Sequence, residues 1–98
     1  MVEISFEWDN YKKKINQSAH GVSFEEASTV FYDENARLIS DIIHSDVEKR
    51  FIILGYSSKA RLLIVCHCYR ENDEKIRIIS ARKANKSESK QYYQFEKG

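Results

Sequence analysis

From residue 38 onward the chain holds four runs dense in β-branched and large apolar residues, separated by three short polar breaks. The runs occupy 38–44, 51–56, 62–69 and 76–82, and the breaks lie at 45–49, 57–61 and 71–75. Breaks of this length close hairpins and are too short for the helical crossovers that parallel neighbours require. The second half of the chain is therefore constrained to an antiparallel meander, built from residue types that suit a pleated, half-buried surface.

The first half follows a different period. Residues 4–8 alternate apolar and polar side chains as a short strand, and Asp9 is well placed to cap a helix after it. Trp8, Tyr11, Ile15 and Ala19 recur at helical spacing, which gathers them on one face and leaves Lys12, Lys13 and Lys14 around the others. Gly21 ends that helix. Ser23 and Glu26 have the spacing of a capping box, with Val22 and Ala27 positioned to staple it. A second helix starts there, turns Phe24, Ala27, Val30 and Phe31 inward, and stops at 32–35. A closing helix is expected over 84–95, opened by Asn85 or Ser87. The order β-α-α-β-β-β-β-α predicts an α+β fold, with the helices packed on one face of a twisted antiparallel sheet and the other face partly open.

Proline is absent and glycine occurs three times, so no flexible linker divides residues 1–98, and the length suits one domain. The apolar runs are far shorter than a bilayer-crossing helix, and residues 1–9 are acidic where a signal peptide would be basic. Both features predict a cytoplasmic protein with no membrane association. Cys66 and Cys68 share a strand face without the turn that a local disulfide needs, in keeping with reduced thiols. The net charge of +1 hides an asymmetry: residues 1–48 carry a net −6 and residues 49–98 a net +7. Such separation suits a polyanion site or an acidic partner, and it is equally accounted for by two halves that neutralise each other across the fold.

Most of the residues with chemical potential lie on the strands. Arg50, Arg61, Arg77 and Arg82 fall in or beside consecutive strands, and guanidinium forks match phosphate oxygens bidentately. Period two puts Arg77 beside Ile79 on one face and Arg82 beside Ile76, Ile78 and Ser80 on the other. An arginine in so apolar a strand also invites an ion pair, for Arg77 with Glu48, Glu74 or a helix carboxylate. His67 shares a strand face with Leu63, Val65 and Tyr69, the pattern of a packed core histidine. Cys66, His67 and Cys68 cannot converge on a metal, because adjacent strand residues point to opposite faces. His20 ends a helix next to Gly21, where it serves as a C-terminal cap or a proton donor. Of Tyr92 and Tyr93 on the closing helix, one is expected on the sheet and the other at the rim, where an aromatic ring can stack on a base. Glycine-rich phosphate loops, the H-E-x-x-H motif and G-x-S-x-G are missing.

Several segments carry a resemblance. Phe6-Glu7-Trp8-Asp9, Asn16, the run from His20 to Ala27, Val30-Phe31 and Asp33 resemble the start of BrnT toxins of bacterial type II toxin-antitoxin systems. Glu48, Arg50, Gly55, Ser57, Arg61-Leu62, the run from Ile76 to Arg82, Ala84, Glu88 and Tyr92 continue the likeness in the same order. The resemblance implies a RelE-like fold and a metal-independent, cofactor-free endoribonuclease that inhibits translation. Its partners would be RNA and a BrnA-like antitoxin with a ribbon-helix-helix part, with operator DNA bound only through that antitoxin. Carried over residue by residue, the resemblance assigns cationic work to Arg61, Arg77 and Arg82 and proton transfer to His20, Glu48 or His67. RNA binding falls to Lys12, Lys14, Arg50 and Tyr92. One position departs: many relatives have a lysine before His-Gly-Val, where this chain has Ala19, leaving Lys13 or Lys14 as substitutes. That departure fits a non-catalytic module binding nucleic acid or antitoxin as the alternative.

Overall fold

The computed structural model describes residues 3–41, 49–70, 72 and 74–94; the side chains of Ser40 and Asp41 and the site candidate Glu48 lie outside what it describes. The elements are β1 (Ser5–Glu7), α1 (Asn10–His20), α2 (Phe24–Thr29), a 3-10 turn (Val30–Tyr32), β2 (Arg37–Asp41), β3 (Arg50–Tyr56), β4 (Leu62–Arg70), β5 (Lys75–Lys83) and α3 (Lys86–Gln94). Together they make an α+β fold of three α-helices and a five-stranded sheet ordered β1-β5-β4-β3-β2.

The polar residues that bound the helices do so by hydrogen bonding. Asp9 accepts from the backbone N–H groups of Tyr11 and Lys12 at 2.8 and 3.1 Å. Gly21 closes α1 in the left-handed region, with φ 67°, and its N–H donates to Gln17. Asn85 and Glu88 form a reciprocal box at the start of α3, each side chain accepting from the other's N–H at 2.9 Å. The Ser23 and Glu26 box is only half made. Ser23 Oγ accepts from Glu26 N–H, but the Glu26 carboxylate turns away to Ser57 and Arg61.

The sheet is mixed, not wholly antiparallel. β2 to β5 are antiparallel neighbours in chain order, while β1 lies parallel to β5, with Ser5, Phe6 and Glu7 opposite Lys75, Ile76 and Arg77. The crossover that a parallel pair requires is supplied by the rest of the chain, an option that short-range spacing cannot reveal.

The ladder between β4 and β5 contains a bulge. His67 faces Ile78 and Cys66 faces Ser80, so Ile79 is one residue extra on β5. A bulge reverses the alternation beyond it. Ile78 and Ala81, three residues apart, therefore join the same core. Arg77, Ser80 and Arg82 come to share the opposite face, being aligned with Cys68, Cys66 and Ile64. The separation of Arg77 from Arg82 expected from strict period two is thus corrected by one inserted residue.

The helices occupy both faces, contrary to the one-sided packing that element order suggested. Val22, Phe24, Ala27 and Val30 of the first helical layer pack on Ile53, Leu63, Val65, Ile78 and Ala81, all buried. Tyr92 of α3 packs on Leu54 and Ile64, the alternate residues of β3 and β4, and so on the other side of the sheet. α1 also lies differently from its apolar stripe. Tyr11 and Ile15 are 73% and 50% exposed, and the buried residue of that helix is Asn16. The Asn16 side chain donates to Ala81 C=O at 2.9 Å and Val22 C=O at 3.0 Å and accepts from Ala81 N–H at 3.0 Å. β1 covers only 75–77 of β5, and the Asn16 amide satisfies Ala81 on the edge left open beyond it. No helix among the described residues is long and apolar enough to cross a membrane.

Candidate nucleic-acid interface

Residues directly opposite in a ladder share a face, so the register alone assigns side chains to the α3 side of the sheet. One row runs Arg37, Leu54, Ile64 and Arg82; the next runs Ile39, Ile52, Cys66 and Ser80. In a further row Glu7, Arg77 and Cys68 are aligned across β1, β5 and β4. Arg50, two residues before Ile52, belongs to the same face, as do Arg70, two beyond Cys68, and Lys75, two before Arg77. Five of the six arginines of the chain thus stand on one face of the sheet, contributed by four strands. Where α3 does not cover it, such a surface gathers positive charge of the kind a polyphosphate backbone needs.

Arg61 is the exception and lies on the other side. Its Nε donates to Glu26 Oε2 at 2.9 Å and its Nη2 to Gly21 C=O at 3.0 Å, with a further contact from Nη2 to Glu26 Oε1. Ser57 Oγ adds a bond to Glu26 Oε2 at 2.7 Å. The Arg61 guanidinium beside Glu26 holds that buried carboxyl below the usual carboxylate range. This cluster ties the β3–β4 turn to the start of α2.

The guanidinium groups of Arg61, Arg77 and Arg82 therefore do not converge on one phosphate, as the spacing of strands had allowed. Arg77 and Arg82 are on one face but about 13 Å apart, because their partners Cys68 and Ile64 are four residues apart on β4 at about 3.3 Å each. Each also has its own carboxylate. Arg82 is gripped bidentately by Glu88, with both bonds at 2.8 Å, and it also donates to Lys83 C=O. Arg77 Nη1 donates once, to Glu7 Oε2 at 2.7 Å. The side chains of Arg77 and Glu7 are 32% and 27% exposed, so this pair meets solvent. Arg70 stands diagonally across from Arg77, and Arg70 and Lys75 add to the positive field that Glu7 feels.

The remaining candidates divide between surface and core. Lys12 and His20, both exposed, line a cleft of about 240 Å3 between α1 and β5, with Ile15, Asn16, Ala19, Ile79 and Ser80. It opens at the stretch of β5 between Arg77 and Arg82, and Ala19 forms part of its wall. Lys14 is exposed on α1 but is not part of that cleft, and Lys13 is engaged by Glu25. Arg50 is half-buried on β3. His67 is wholly buried, with its ring edge-on to Phe31 at 4.8 Å and to Tyr69 at 5.3 Å. Burial pushes its imidazole toward the neutral form. It cannot reach a substrate from there, so its assignment to proton transfer is corrected to core packing.

Tyr92 also changes role. It is buried against Leu54 and Ile64, and its hydroxyl donates to Asp33 Oδ2 at 2.8 Å. Tyr93, 44% exposed, is the rim tyrosine, packed edge-on to Tyr92 and in contact with the Tyr56 hydroxyl. Helical geometry predicted that one of the two would be exposed but could not choose between them. The sequence pattern does not single out Glu7 as a functional residue. Its signal was present in the Phe-Glu-Trp-Asp run, but only the parallel pairing of β1 with β5 places it beside Arg77.

The fold has a counterpart among known proteins. No curated protein matches the chain. Among solved structures it is similar to the ribonuclease toxin BrnT of Brucella abortus, with a TM-score of 0.64 over 86% of this chain and 100% of that one. At 20% identity this likeness shows the fold. The family model for the ribonuclease toxin BrnT of type II toxin-antitoxin systems matches residues 8–88, and the chain belongs to that family.

Proposed function

We propose that this toxin cleaves RNA on the arginine-bearing face of its sheet, with no metal ion in the reaction. The observation that carries the proposal is the gathering of Arg37, Arg50, Arg70, Arg77 and Arg82 from four strands onto one face, produced in part by the Ile79 bulge. The RNA backbone runs across this face, with Arg77 at the scissile phosphate and Arg82 and Arg50 at its neighbours. In-line attack by a 2′-hydroxyl builds negative charge on the phosphorane, and fixed guanidinium charge stabilises it. Lys12 and His20 line the cleft beside Ile79 and Ser80 of β5, and in this reading His20 is the acid that protonates the departing 5′-oxygen. Tyr93, rather than Tyr92, offers a ring for base stacking. Arg61 contributes through the fold.

The same proposal includes a RelE-like classification, action in the cytoplasm, and translation inhibited by RNA cleavage. A BrnA-like antitoxin with a ribbon-helix-helix part neutralises the toxin by covering the arginine face, and operator DNA is bound only through it. The test is cleavage of RNA by the purified protein in EDTA, followed by mapping of the ends. Products with 2′,3′-cyclic phosphate and 5′-hydroxyl termini, lost in Arg77→Ala, are expected. RNA that is bound but never cut would overturn it.

A second reading has its own support. Arg61, Arg77 and Arg82 each have a carboxylate partner, and Ala19 takes the place of the lysine that the family resemblance implies. These features suit a non-catalytic module that binds nucleic acid or antitoxin, for which binding without cleavage is the expected result.

A further inference from the structure

The three arginine–carboxylate pairs differ in what they leave available. Glu26 is almost wholly buried, and both of its oxygens are engaged by Arg61, one of them also by Ser57. Glu88 uses both oxygens on Arg82, and Oε1 also accepts the Asn85 N–H that starts α3. These two carboxylates are built into the fold. Glu7 accepts one hydrogen bond, at Oε2 from Arg77 Nη1, and among the described residues its Oε1 has no partner. The pair lies at the solvent-reachable rim of the arginine face, where Arg70 and Lys75 surround the same carboxylate.

Resting on the ribonuclease reading above, we infer that Glu7 is the general base of the cleavage site and Arg77 its phosphate-binding partner. A 2′-hydroxyl and the adjacent phosphate occupy neighbouring positions on one ribose, so a base and a cation in direct contact match them. Glu7 Oε1 takes the 2′-hydroxyl proton as the 2′-oxygen bonds to phosphorus. The bond from phosphorus to the 5′-oxygen breaks, and that oxygen leaves with a proton from an acid, giving a 2′,3′-cyclic phosphate and a 5′-hydroxyl. In the free protein the Arg77 hydrogen bond holds the Glu7 carboxyl below its ordinary range, with Arg70 and Lys75 acting in the same direction. A bound phosphate draws Arg77 toward itself and weakens that hold, so Glu7 becomes more basic in the complex that needs a base.

The experiment compares wild type, Glu7→Gln and Glu7→Asp by single-turnover cleavage of a short RNA across pH 4–8, alongside RNA binding and thermal unfolding. Glu7→Gln should bind RNA at least as tightly, because it removes a negative charge from a phosphate site. Its cleavage should fall by a factor on the order of 10² or more, the usual contribution of a general base. Wild type should lose rate as pH falls through the Glu7 titration, whereas residual Glu7→Gln activity should lack that acid limb. Glu7→Asp should recover part of the rate. If wild type does not cut RNA, the ribonuclease reading itself fails. If wild type cuts and Glu7→Gln cuts equally fast, the base assignment alone fails. Should Glu7→Gln not fold, the wild-type profile decides: a rate flat through the carboxylate range overturns the assignment.

Discussion

The side-chain amide of Asn16 binds both backbone polar groups of Ala81, a residue 65 positions away, and so substitutes for a neighbouring strand on the open edge of β5. One side chain thereby fixes the position of α1 against the sheet and terminates an edge that would otherwise be open to pairing.

Asn16→Ala should therefore destabilise the protein by about 2–3 kcal/mol, because it strands the backbone groups of Ala81 and the carbonyl of Val22. Asn16→Asp should not rescue it. A carboxylate can accept from Ala81 N–H but presents an anion to two carbonyl oxygens. Urea unfolding of the three proteins measures this, and an Asp variant as stable as wild type would contradict it.

Gly55 of β3 is packed too closely for a side chain. A Cβ there would lie 3.0 Å from Ala36 Cβ, 3.0 Å from Val30 Cγ1 and 3.1 Å from Asp33 Oδ2. Gly55→Ala should cost about 1–3 kcal/mol by overpacking, with the thermal midpoint as the readout. A paired substitution of Val30→Ala should return part of the loss.

The Glu26–Arg61 pair should set acid stability. Glu26 binds its proton more weakly folded than unfolded, chiefly because of the Arg61 hydrogen bond. Its contribution is therefore complete above the unfolded value of 4.5 and is lost as pH falls through the folded value. Arg61→Ala leaves a buried carboxylate without its cation and should cost about 3 kcal/mol near pH 7. That deficit should shrink on acidification, because the carboxyl then becomes neutral. In Arg61→Ala/Glu26→Gln the share of the pH dependence that Glu26 contributes should vanish, leaving that of the other carboxylates with lowered values. Chemical denaturation at pH 4 and pH 7 tests the sign, and a deficit that grows on acidification would refute it.

The adjacent tyrosines of α3 should separate stability from binding. Tyr92→Phe removes the hydroxyl donor to Asp33, whose carboxylate also accepts the Tyr56 N–H at 2.9 Å, and should cost about 1–3 kcal/mol. Tyr93→Ala should stay within about 1 kcal/mol of wild type while weakening RNA binding. Equal losses of stability in both would show that Tyr93 belongs to the core. Calorimetry and an RNA-binding titration together distinguish these outcomes.

Local chemistry alone set much of this molecule. Asp9, Gly21, Ser23 and Asn85 bound their helices because capping acts over two to four residues, within reach of a sequence pattern. The strands β2 to β5 were legible in their β-branched runs, residues 42–44 of the first run lying outside the described residues, and the His67 face was legible in its apolar alternation. The arrangement of the arginines was not. It depends on an extra residue at Ile79, which arises from pairing with β4 and has no local signature, and on β1 joining the sheet parallel to β5 after a separation of some 70 residues. The same long-range packing left Tyr11 in solvent and Asn16 buried, and it decided which carboxylate met which arginine. A short-range pattern determines where elements begin and which side chains alternate. Only the assembled sheet decides which alternating sets coincide, because that depends on register between strands.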